Sequence, residues 1–275
     1  MQDLFAAPAS GPARRIHVGI GGWTYAPWRG GMFYPAGLVQ RRELEYASRE
    51  LTAIEINGTY YGAQKPATYA KWRDETPPGF LFTAKAPKRI MASRRLAGTG
   101  AQIEDFVGGI GELGDRLGAL SWQFERGQAP TPDELAAFLM LLPAQVDGRR
   151  LRHALELREP ALFTPDLLAL LRQRNVALVF AGSDEHPAFA DVTADFTYAR
   201  VMQSRADLEH GYPEAELDAW AARARAWAAG GDPAELPHVG PPRPGTAPRE
   251  AFVFFIASAK ERNPAAARAL IARLS

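Results

Sequence analysis

"LRHALELREPALFTPDLLALLRQRNVALVFAG", residues 151–182, reads as a complete strand–helix–strand unit. Apolar Leu155 and Leu157 alternate with Glu156 and Arg158, which is the period of a strand. Thr164 and Pro165 then open the helical run "TPDLLALLRQRN", a threonine cap followed by a proline suited to the first turn. "VALVFAG" follows as the next strand.

The same alternation extends in both directions. "IHVGI" precedes an aromatic, glycine-rich loop and the helical "QRRELEYASREL"; "AIEIN" precedes "PATYAKWRDE"; "GFLFTAK" leads into "QIEDFVGGIGELGDRL". "LGALSWQF" is followed by Thr131-Pro132-Asp133-Glu134, a good helix start. After "VALVFAG" only a short segment remains before "FTYARVM", so the helix there is expected to be short or missing. "PEAELDAWAARARAWAA", "AFVFFIA" and "NPAAARALIARL" complete the chain. A doubly wound open sheet could use the same units. Eight repeats in 275 residues favour an α/β fold of the TIM-like (β/α)8 barrel type. The expected layout is a flexible tail over residues 1–15 and one barrel domain over 16–275, with a Pro/Gly-rich surface loop at 230–250.

Composition narrows the function classes. Hydrophobic residues make up 47% and charged residues 23%, and the net charge is +1, so no global field favours nucleic acid or a membrane surface. The absence of cysteine excludes disulfides, thiolate zinc sites and a cysteine nucleophile. No apolar run approaches the length of a membrane span and no signal-peptide core is visible, so a cytoplasmic location is expected. The sequence specifies no oligomeric state.

Barrel enzymes build their sites at the C-terminal strand ends, so the polar residues there are the candidates. Glu55 and Asn57 share one face of the second strand, Lys85 ends the third, and Gln123 lies at the end of the fourth. Glu156 and Arg158 share a face of the fifth, either as a structural ion pair or as site residues. Asp184 and His186 follow the sixth strand, and Tyr198 and Arg200 share a face of the seventh. Two carboxylates, a lysine and two arginines at one mouth suit general acid–base chemistry on a small anionic or sugar-like substrate. Glu55, Glu156 and Lys85 are the catalytic candidates, with Arg158 and Arg200 joining Lys85 in binding the anion. Trp23, Tyr25, Trp28 and Tyr34, in the loop after the first strand, either wall and shield the pocket or plug the barrel mouth. No cofactor is predicted. Glu55, Glu156 and Asp184 could hold Mg²⁺ or Mn²⁺, although no spaced histidine pair supports a metal.

From about Ile16 to its end the chain resembles the YecE-like family, DUF72, a domain of unknown function. The stretches carrying the resemblance are "VGIGGWTYAPWRGGMFYPAG", "LEYASRELTAIEINGTYYG", "FLFTAKAPKRI", "HALELREPALF" and "TADFTYAR". The resemblance implies a TIM-like barrel and no particular reaction. The chain is a divergent member. Gln123-Phe124-Glu125-Arg126 stands where the family pattern has Gln-Leu-Pro-Pro, and Arg158-Glu159-Pro160 where it has Arg-His-Pro. Arg200-Val201-Met202-Gln203 replaces Arg-Leu-His-Gly, and Ile256-Ala257 replaces two asparagines. Losing a histidine and two amides favours a ligand-binding or degenerate barrel as the alternative to an enzyme. "MQDLFAAP" at the N-terminus resembles the peptides of bacterial sliding-clamp partners but is one residue short, which makes a DNA-transaction accessory the weakest reading.

Overall fold

The computed structural model describes residues 15–243, 245 and 247–275. The N-terminal Gln/Leu/Phe motif, and all of the expected tail but Arg15, lie outside the described residues.

Eight parallel strands close into a barrel: β1 (Ile16–Gly21), β2 (Ala53–Ile56), β3 (Leu81–Lys85), β4 (Leu117–Phe124), β5 (His153–Leu157), β6 (Val176–Gly182), β7 (Phe196–Val201) and β8 (Glu250–Phe255). Each strand pairs with the next in sequence, and β8 closes the ring against β1. Parallel neighbours need crossovers too long for a hairpin, and helices supply most of them. They are α1 (Glu43–Glu50), α2 (Pro66–Glu75), α3 (Gly100–Ile110), α4 (Pro132–Met140), α5 (Pro165–Arg174) and α6 (Glu214–Ala228), with α7 (Asn263–Leu274) closing the chain. The helix starts follow the local sequence. Thr131 and Glu134 form a reciprocal capping box on α4, and Thr164 accepts the Leu167 amide at the start of α5.

Among the described residues no helix joins β6 to β7. Residues 183–195 return in an irregular path whose backbone is satisfied by side chains. Thr193 Oγ1 accepts from Leu178 N at 2.8 Å and donates to Val176 O at 2.7 Å. The Asp191 carboxylate takes the Val239 and Gly240 amides at 2.7 and 3.0 Å, which pins the Pro/Gly-rich loop over this segment. A small antiparallel hairpin, Gln145–Val146 with Arg149–Arg150, precedes β5 and turns at Asp147-Gly148. Its strands are too short for the alternation of periods to mark them, although Asp-Gly is a strong hairpin signal.

Strand register sorts the side chains into two cores. Val18, Ile20, Ile54, Phe82, Trp122, Leu155 and Leu157 pack outward under the helices. Ala53, Ala119, Ala154, Ala177 and Ala181 line the interior with Tyr198, Phe196, Phe252 and Phe254, small residues making room for large ones. Gly19 belongs to this layer because a Cβ there would lie 1.9 Å from Ala53 O. Among the described residues no helix is long and apolar enough to cross a membrane.

Candidate functional site

Register places the polar side chains at the upper, C-terminal end of the barrel. Gly21 is level with Glu55, Glu55 with Thr83, Lys85 with Ser121, Gln123 with Glu156, and Arg200 with Phe254. Residues at paired positions of a parallel sheet face the same way, so Glu55, Lys85, Gln123, Glu156 and Arg200 converge inside one mouth.

Arg200 is the hub. Its Nη2 reaches Glu55 Oε1 at 3.2 Å and its Nη1 reaches Glu156 Oε2 at 2.6 Å. Tyr198 OH donates to Glu55 Oε2 at 2.6 Å and shares a 2.8 Å hydrogen bond with Thr83. Arg158 Nε donates to Glu156 Oε1 at 3.1 Å, while its Nη1 pairs with Glu125 Oε2 at 2.6 Å. Glu125 Oε1 takes hydrogen bonds from Tyr60 OH at 2.9 Å and Gln123 Nε2 at 2.5 Å. Five charges therefore form one chain, running from a fully buried end at Glu55 to Glu125 at the solvent.

This chain fixes protonation. Burial opposes the charge on Glu156, yet Arg200, Arg158 and Lys85 outweigh it and hold the carboxyl below its usual range. Burial and the Glu55 carboxylate push the Tyr198 phenol well above its ordinary value, so it stays a donor. Lys85 is pulled down, first by burial and then by Arg200. All four oxygens of Glu55 and Glu156 are occupied, and both side chains are fully buried. As they stand, neither can exchange a proton with a ligand, and both terminal nitrogens of Arg200 are committed to these carboxylates, its Nε lying buried without a partner. The position between these carboxylates, where a divalent ion would sit, holds a guanidinium. Asp184 does not join them, and among the described residues no group of three His, Cys, Asp or Glu is arranged for a metal.

Above the network lies a cavity of about 450 Å³ whose lining includes Asn57, Tyr60, Lys85, Gln123, Arg158 and Lys260. Lys85 Nζ sits 4.4 Å from the Tyr60 ring centroid, and Lys260 Nζ sits 4.5 Å from that of Tyr25. Neither ammonium has an ion-pair or hydrogen-bond partner among the described residues.

The aromatic loop is placed differently from expectation. Trp28 and Tyr34 are fully buried, away from the cavity, and pack with Phe33 and Tyr46 against α1. Trp28 Nε1 donates to Lys260 O at 2.9 Å, and Tyr34 OH donates to Trp23 O at 2.5 Å. Trp23 wedges between Trp72 and Phe82 on the outside of the barrel. Tyr25 meets the site only through Lys260. Asp184 is exposed and accepts from Gln203 Nε2 at 2.8 Å. Trp23, Trp28 and Asp184 therefore do not line the cavity: no strand period governs a loop, and these side chains follow their packing. Tyr60, Glu125, Lys260 and Thr83 were not expected at the site, and Tyr198 was expected only to share a face with Arg200. The strand period could have found Thr83 and given Tyr198 its place.

A profile described as "Protein of unknown function DUF72" matches residues 17–275. The chain belongs to the DUF72 family. It is 27% identical over 151 residues to the UPF0759 protein YecE of Escherichia coli (strain K12), a match covering 54% of this chain and 50% of that protein. The chain thus aligns with about half the length of this curated relative. Among solved structures, a DUF72 family protein of Thermotoga maritima superposes with a TM-score of 0.71 at 20% identity, covering 94% of this chain and 97% of that one. A DUF72 family protein of Enterococcus faecalis gives a TM-score of 0.68 at 16% identity, covering 94% and 95%. These structures share the barrel. The family carries no established reaction, so function rests on the site itself.

Proposed function

We propose that the mouth of this DUF72 barrel receives a small organic anion, held by Lys85, Lys260 and Arg158. Two unpartnered ammonium groups facing one cavity carry this reading. Charges withdrawn from water without partners are costly, and a carboxylate or phosphate between them offsets that cost. Arg200, expected from the sequence to bind the anion, instead holds Glu55 and Glu156 in place. Glu125 also has both oxygens hydrogen-bonded, but unlike Glu55 and Glu156 it stands on the cavity wall with its side chain 34% exposed, so it is the carboxylate of the chain that a ligand can reach to exchange protons. The acid–base role expected of Glu55 and Glu156 thus moves outward along the same charge chain.

Calorimetric titration with inorganic phosphate and with citrate tests the reading. Both should bind, more weakly as salt rises, and Lys260→Ala should weaken binding by about tenfold, the equivalent of about 1.4 kcal/mol. Equal binding of neutral glucose by wild type and Lys260→Ala, with no response to phosphate, would sink it.

A further inference from the structure

The two unpartnered lysines are not equivalent. Lys260 is half-buried at the rim, against the faces of Tyr25 and Trp28. Lys85 lies deeper, 8% exposed, at the end of β3, its carbonyl fixed by a 2.7 Å hydrogen bond from Thr59. A lysine inside a barrel ordinarily pairs with the nearest carboxylate. Here Glu55 and Glu156 are the nearby acids, and their four oxygens are already claimed by Arg200, Arg158 and Tyr198. The fold thus leaves a primary amine free, in a cavity of about 450 Å³, beside two permanent cations.

We propose that Lys85 is a nucleophile that forms an imine with the carbonyl carbon of a small oxo acid, whose carboxylate is held by Lys260 and Arg158. This rests on the anion-binding reading above and names its ligand class. Burial and the neighbouring Arg200 lower the proton affinity of the amine, which raises the fraction carrying a free lone pair. That lone pair attacks the carbonyl carbon, and the C=O π electrons move to oxygen. A proton passes from nitrogen to oxygen and gives a carbinolamine. Protonation of its hydroxyl releases water as the nitrogen lone pair closes the C=N bond. Glu125 is placed on the cavity wall to relay these protons. No oxidant or further reactant is required.

The experiment is reductive trapping of the whole protein with pyruvate or glyoxylate and cyanoborohydride, read by intact mass and peptide mapping. The hydride from the reagent converts the imine to a stable secondary amine. The expected product carries one added group, equal in mass to the oxo acid less one oxygen, on Lys85. Lys85→Met should lose it, and Lys260→Ala should slow its formation on the order of tenfold. Label spread over exposed lysines such as Lys71, or formed as fast in Lys85→Met, overturns the proposal. Peptide mapping of wild type locates the label even if Lys85→Met fails to fold. Phosphate binding without trapping at Lys85 refutes the imine and leaves the anion pocket standing. Trapping at Lys85 with no phosphate binding supports the imine and refutes the anion pocket.

Discussion

His153 and Glu156 lie three residues apart on β5, both buried, and they are held in opposite charge states. At the lower end, His153 is neutral. Burial pushes it down to about 4, its Nδ1 accepts from Trp122 Nε1 at 3.0 Å, and its Nε2 donates to Pro143 O at 2.8 Å. At the mouth, Glu156 stays ionised because Arg200 and Arg158 reach it. Low in the barrel, the rings of Phe196 and Phe252 lie beside Glu250, which His17 and Arg152 hold ionised, so the contrast belongs to these two side chains and not to the two ends as wholes. Burial alone does not decide ionisation. At His153 no partner opposes discharge, whereas the mouth commits guanidinium groups to keep Glu156 charged, and such an arrangement is weak evidence for stability.

The sharpest way to break this contrast is to remove the hub. Arg200→Met leaves Glu55 and Glu156 buried without their shared partner and should cost about 3–5 kcal/mol in urea unfolding. Adding Glu55→Gln and Glu156→Gln should restore most of that loss, because no stranded charge then remains. If Arg200→Met costs under about 1 kcal/mol, the two carboxylates are not held by Arg200 and the mouth is wetter than the burial of Glu55 and Glu156 implies.

Acid separates His153 from Glu156 by pH window. His153 has a folded value below its ordinary 6.5, so the folded state binds fewer protons than the unfolded chain. Its contribution is complete above about pH 6.5, is lost as pH falls toward 4, and amounts to about 3 kcal/mol. Glu156 is also depressed, but from 4.5, so its contribution is present above that pH and is lost only below it. His153→Gln keeps an acceptor for Trp122 and a donor for Pro143. It should flatten the stability profile between pH 6.5 and 4.5 and leave the steeper acid limb. His186, lowered by burial and by Arg158, titrates with the same sign, so the difference between the two profiles is the measurement to make. An unchanged difference across that window would show that His153 is protonated freely in the fold.

These contrasts show what the sequence could reveal. Short apolar runs alternating with segments of helical period marked the eight strands, the helices and the gap between β6 and β7, because strands buried on both faces read as compact apolar runs bounded by helices and loops. The strand period of two brought Glu55, Lys85, Gln123, Glu156 and Arg200 to one face. It could not say which carboxylate each cation would choose: Arg200 and Glu55 are 145 residues apart in the chain and meet across the barrel. Nor could it aim the loops. Trp28 reads as a pocket wall and is core, while Tyr60 and Lys260 come from the segments after β2 and β8. Glu125 stands where the family resemblance implies a proline, and it completes the charge chain through Arg158 and Tyr60.

The smallest expected effect comes from backbone conformation, and it divides the two ends again. Among the described residues, four non-glycine positions have a left-handed φ: Asp147 at 47°, Asn175 at 53°, Ala257 at 62° and Ser258 at 46°. Asp147 and Asn175 lie in the loops that enter β5 and β6, at the lower end, and both are residue types that tolerate this region. Ala257 and Ser258 follow β8 at the mouth, where alanine gains nothing from its side chain to offset the strain. The turn is held by its surroundings instead: Ser258 Oγ donates to Met202 O at 2.5 Å, and Asn263 Nδ2 donates to Ala257 O at 3.2 Å. Ala257 is exposed on the cavity wall, so a longer side chain has room. Ala257→Asn restores the residue type that the family resemblance implies for this stretch, and should stabilise the fold by about 0.5–1 kcal/mol. Ala257→Gly should gain less, because glycine gives back part of the benefit as unfolded-chain entropy. No gain from either variant would mean that the turn is unstrained. A gain with unchanged phosphate affinity would mean that the strain is unrelated to the ligand. A gain accompanied by weaker phosphate binding would tie the strained turn to the position of Lys260, three residues further on.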